Sequence, residues 1–142
     1  MNLKAVIDFF KKQNLYNEQY FKKIEANTKI YDRSYEEIKE LVGCFPIYDN
    51  ENNIIDVKLI LPKIKNIYDV LIYVHEYTHA LFIEDENEIF PNIMEAIFIN
   101  KYCDEQTKAE IIEKTKTEIL KETDENHIVG KKVKIMSIKK SF

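Results

Sequence analysis

Residues 74–80 read Val74-His75-Glu76-Tyr77-Thr78-His79-Ala80. In an α-helix, residues four apart stand above one another, so the imidazoles of His75 and His79 share a face and Glu76 stands one step round from them. That spacing lets one helix offer two nitrogen ligands to a single metal ion, with a carboxylate beside it able to act as a base. Two of the three histidines in the chain fall within the motif, which argues against a chance spacing. The plain alternative is a pair of partly buried histidines on an ordinary helix. Around the motif, Val70, Leu71, Val74, Thr78, Leu81 and Phe82 make much of the helix apolar, so it is expected to lie in the centre of a domain.

A chain of 142 residues, 45% hydrophobic and 32% charged, suits one small globular domain with a modest core. The net charge of -4 leaves no electrostatic footprint for nucleic acid. No apolar run reaches membrane-spanning length, and the N-terminus leads into an amphipathic pattern rather than a signal-peptide core. The expectation is a cytoplasmic protein without nucleic-acid or membrane partners. Cys44 and Cys103 are isolated and make neither a metal knuckle nor a disulfide framework.

Helical spacing recurs over Leu3, Val6, Ile7 and Phe10. It recurs again over Tyr16, Tyr20, Phe21 and Ile24, after a polar break at Gln13-Asn14. The aromatic residues are expected to pack a core. Ser34-Tyr35-Glu36-Glu37 is a capping box opening a third helix through Ile38, Leu41 and Val42, with Gly43 expected in the left-handed position that ends it. Phe45-Pro46-Ile47-Tyr48, the polar run Asp49 to Asn53, and then Ile55, Val57, Leu59 and Leu61 on alternate positions predict a β-hairpin with a five-residue loop. Asn66 and Asp69 predict the start of the motif helix.

After an acidic loop from Glu84 to Glu88, Pro91 opens a second apolar helix. Within it, Glu95 is a lone carboxylate among Ile93, Met94, Ala96, Ile97 and Phe98. Burying that charge costs several kcal/mol unless a cation pairs with it. Glu95 is therefore expected to be the third metal ligand, with a salt bridge or a solvent-facing position as the alternatives. Met94 is expected in the core. A covering helix follows from Asp104, its Lys and Glu residues forming a solvated face. Val133, Ile135 and Ile138, interleaved with Lys132 and Lys134, predict a final short strand.

An extended motif with a third histidine would need glycine at 82 and histidine at 85, where the chain has Phe82 and Asp85. Asp85 is a poor ligand candidate, since the chain lacks the glycine needed for the sharp turn. The pattern of His75-Glu76-x-x-His79 followed by a glutamate on the next helix resembles the gluzincin branch of zinc metallopeptidases. Residues 69–81 together with Phe90-Pro91-Asn92-Ile93-Met94-Glu95 resemble the catalytic core of the oligoendopeptidase F and thimet oligopeptidase family. Thr78 stands where those enzymes have glycine, and their large helical shell is missing. In size and order of elements the chain also resembles the minimal gluzincins and the ImmA/IrrE-like peptidases.

The resemblance implies a small α+β zincin-like domain over residues 1–142, with helices packed on a short hairpin or three-stranded sheet and the motif on the central helix. It implies Zn2+ on His75, His79 and Glu95, Glu76 as general base and acid, and a His or Tyr that stabilises the oxyanion. Tyr102, seven residues after Glu95, and His127, the one histidine outside the motif, are the candidates for that work. The strand from Val57 to Leu61 resembles the zincin edge strand that pairs with an extended substrate. The expected activity is zinc-dependent hydrolysis of a peptide or a flexible protein segment. The alternative is a catalytically silent or latent binding module in which the basic tail from Lys131 to Met136 lies in the cleft as an inhibitory strand.

Overall fold

A computed structural model describes residues 2–140. The described residues form a small α+β structure of seven helices and one three-stranded mixed sheet. The chain divides into two compact units, Met1–Glu84 and Asp85–Phe142.

The first unit holds α1 (Leu3–Lys12), α2 (Glu18–Asn27), β1 (Lys29–Ile30), α3 (Tyr35–Ile38), β2 (Gly43–Tyr48), β3 (Ile54–Leu61) and α4 (Ile67–Leu81). Asn2 and Asn17 cap α1 and α2 by accepting main-chain N–H groups of Ala5 and Tyr20. Asn14 takes the left-handed conformation, φ 59°, that turns the chain out of α1. The expected core forms. Phe9, Phe10, Phe21 and Tyr77 are fully buried, and the Phe21 and Tyr77 rings stack at 5.7 Å. Tyr16, only half-buried, covers Phe21 from outside at 4.7 Å.

The hairpin forms as expected, with β2 antiparallel to β3 and a loop over residues 49–53. Asp49 Oδ1 accepts the N–H groups of Glu51 and Asn53, and Asn52 supplies the left-handed residue at φ 63°. Val57, Leu59 and Leu61 face inward, whereas Ile55 is exposed because the register slips by one residue there. The sheet order is β1-β3-β2, so β3 is the central strand and not the expected edge. Two residues of β1 pair in parallel with Ile60 and Leu61, too short a pairing to leave a sequence pattern. On the other side β2 is an outer strand, and Pro46, lacking an N–H, suits that position.

Two further expectations are corrected. The capping box at Ser34 and Glu37 is present, yet α3 stops at Ile38, its one buried residue, so little burial holds a longer helix. Gly43 has no left-handed conformation and instead opens β2. A Cβ there would lie 3.0 Å from the Phe45 ring, so it is the ring rather than the dihedral angle that favours glycine.

The second unit holds α5 (Ile89–Tyr102), α6 (Glu105–Lys121) and α7 (Glu125–Lys140). Pro91 lies in the first turn of α5, and Asp104 caps α6 by accepting the Thr107 N–H at 2.8 Å. Met94 is in the core as expected. The predicted C-terminal strand is instead helix α7. Gly130, Lys134 and Ile138, four residues apart, form its buried stripe, and α7 packs mainly on α5. The apparent alternation of Val133 and Ile135 with lysines misled because Lys134 points inward, not to water. The strand form of the tail goes with it.

Candidate metal centre

The motif helix is set by its first turn. Asn66 Oδ1 accepts the Asp69 N–H, and Asp69 Oδ2 accepts the N–H groups of Lys65 and Asn66, which completes a capping box. Val70, Leu71, Tyr73, Val74, Tyr77, Thr78 and Ala80 are buried, while His75, Glu76 and His79 are half-buried. The core therefore fixes the helix from one side and leaves the motif residues on the other. Their rings lie close, His75 to His79 at 4.9 Å between centroids.

Thr78, in the place where the resembling enzymes have glycine, turns its hydroxyl back to donate to the Val74 carbonyl at 2.7 Å. It fills core without a buried hydroxyl left over. The Tyr20 hydroxyl of α2 donates to the Ala80 carbonyl and ties down the last turn, the turn that carries His79. Beyond it, Phe82 takes φ -125° and ends the helix without a glycine.

Cys44 on β2 is electrostatically coupled to Glu76. Burial, and next the Glu76 charge, push its thiol up to about 12. Cys44 is thus a neutral thiol at physiological pH, and β2 runs beside the motif. A shallow cavity of about 320 Å³ whose lining includes Ile30, Asp32, Lys63 and Tyr73 has none of the three motif residues in its wall.

Glu88 and Glu95 are the two buried carboxylates of the second unit. Glu88 occupies the N-cap position of α5, where an acid ordinarily accepts main-chain N–H groups, yet its side chain makes no capping hydrogen bond. Neighbouring residues do that work. Asn87 Oδ1 accepts the Ile89 N–H, and Asn126 Oδ1 accepts the N–H of Glu88 itself at 3.1 Å. The Glu88 carboxylate has His127 Nε2 at 3.4 Å from Oε1.

His75 and His79 thus present two imidazoles on one face of α4, with Glu76 one residue from His75. Two imidazole nitrogens from one helix are a partial donor set that suits Zn2+, which takes further ligands to complete its four positions.

Glu95, the expected third ligand, has a cation within its own unit. Lys134 Nζ of α7 lies 3.3 Å from its Oε1, and both side chains are buried, so the cation demanded by burial is supplied by a lysine. Asp85 is exposed and its Oδ1 accepts the Asn87 N–H. Tyr102 is half-buried with its ring 4.7 Å from Phe98. His127 lies between two carboxylates, with Nδ1 3.7 Å from Glu122 Oε2.

Sequence reasoning missed the burial of Glu88. It is the last member of the run Glu84-Asp85-Glu86-Asn87-Glu88, which reads as a solvated loop. The available signal was its place directly before the apolar helix, where one acid of the run must begin to be buried. No family model, curated protein or solved structure matches the chain.

Proposed function

We propose that the chain is a zinc-dependent metallopeptidase whose metal is held by His75 and His79 of α4, with Glu76 beside them as the base. The observation that carries this reading is the pair of half-buried imidazoles 4.9 Å apart on one helix face, next to Glu76. Glu95, the expected third ligand, has Lys134 as a cation in its own unit.

A Zn2+ bound there supplies a Lewis acid for a peptide carbonyl and lowers the pKa of water at its open position. Glu76 is one residue from His75 and half-buried, so its carboxylate can take a proton from the attacking water and pass it to the leaving amine. Tyr102 remains the candidate donor to the oxyanion. His127, held between Glu88 and Glu122, is the other candidate. β2, beside Glu76, has an outer edge for main-chain pairing with an extended peptide or flexible segment. Pro46 withholds one donor from that edge, which limits how long a strand can be added there.

A purely structural zinc site has no use for Glu76, and the test turns on that. Glu76→Gln is expected to keep Zn2+ while hydrolysis of a quenched-peptide mixture falls by about 100-fold or more. Zinc bound by the wild type with no hydrolysis in either form would instead favour a silent binding module.

A further inference from the structure

We infer that Tyr20 is a positioning residue for His79, its hydroxyl holding the last turn of the motif helix so that the two imidazoles keep their spacing; this rests on the reading of His75 and His79 as metal ligands. A helix leaves its last four carbonyls without partners in a following turn, so its end frays unless other groups take them. His79 lies in that last turn, two residues before α4 ends at Leu81, whereas His75 lies a full turn deeper. The Phe82 N–H still closes on the Thr78 carbonyl at 3.1 Å. For the Ala80 carbonyl the donor comes from α2, 60 residues earlier, as the Tyr20 O–H.

Tyr20 is itself held in place. Asn17 Oδ1 accepts its N–H at 3.0 Å, and the next residue, Phe21, is fully buried with its ring stacked on Tyr77 at 5.7 Å. α2 therefore grips α4 at Tyr77 and again at Ala80, and these two grips bracket His79 in the sequence. Closer to the start of α4, Tyr73 ties the same core face by donating its O–H to the Pro62 carbonyl. Residues 73, 77 and 80 follow the stripe expected of one helix face, which leaves His75 and His79 to project elsewhere. Of these three anchors, the Tyr20 hydrogen bond is the one that acts on main chain beyond His79. Burial first, and then Cys44 and Asp56 nearby, push the Tyr20 phenol above its ordinary range, so its proton stays in place to be donated. Groups that fix the orientation of a metal ligand commonly govern affinity by about 10–100-fold, and a hydrogen bond acting through one turn of main chain belongs at or below the low end of that range.

The test is Zn2+ affinity, read by competition with a chromophoric chelator, together with the visible spectrum of the Co2+ form, for the wild type, Tyr20→Phe, Tyr73→Phe and His79→Ala. Thermal melting of the metal-free form is the folding control. Each phenylalanine variant keeps the ring and removes one hydroxyl bonded to a main-chain carbonyl. Tyr20→Phe is expected to weaken Zn2+ about 5-fold or more and to shift the Co2+ absorption bands, which report ligand geometry. Tyr73→Phe, whose lost bond lies ahead of the motif, is expected to lower melting while affinity stays within about two-fold of wild type and the spectrum is unchanged. A smaller loss of affinity in Tyr20→Phe, an unchanged Co2+ spectrum, or equal weakening by Tyr73→Phe would each overturn the positioning role. Wild-type affinity in His79→Ala would overturn the ligand reading itself, a separate failure.

Discussion

Glu88 and Glu95 are buried to nearly the same degree, 8% and 6% exposed, yet differ in what stands opposite them. A glutamate among apolar helix residues demands a cation, and that much is written in the sequence around Glu95. Which cation answers depends on where Lys134 points, a tertiary fact that alternation with valine and isoleucine disguised. Breaking a buried pair leaves the surviving charge in an apolar setting and costs about 3–5 kcal/mol. Lys134→Met is therefore expected to destabilise the protein by about 3 kcal/mol in urea unfolding, and adding Glu95→Leu to recover much of that. A Lys134→Met variant as stable as wild type would show that the pair carries little. His75, Glu76 and His79 were legible because a fixed spacing on a single helix needs no tertiary knowledge.

At the scale of elements, local chemistry that reports on itself was readable. The α4 start at Asn66 and Asp69, the α6 cap at Asp104 and the loop over residues 49–53 rest on side chains that bond within four residues of themselves. What was not readable depended on partners distant in sequence. β1 exists because Ile60 and Leu61 offer a free edge, and α3 ends early because only Ile38 finds a core. The tail is a helix because Gly130, Lys134 and Ile138 line up against α5 at a spacing of four. Deleting residues 128–142 removes that stripe. Such a truncation is expected to lose cooperative melting of the second unit, followed by circular dichroism; a truncated chain that keeps its helix content and gains peptidase activity would restore the inhibitory-tail reading.

For the whole molecule, the α+β class was legible from hydrophobic period and turn chemistry, and no described helix is long and apolar enough to cross a membrane. The chemistry rests on fewer residues than the fold does. The proposed metal chemistry rests on the two histidines of α4 with Glu76 beside them, and metal content tests it most directly. The measurement is the zinc bound per chain after dialysis against a weak chelator, compared among wild type, His79→Ala and Glu76→Gln. About one zinc in the wild type, retained by Glu76→Gln and lost by His79→Ala, is the predicted result. No zinc in the wild type, or zinc retained by His79→Ala, would contradict it.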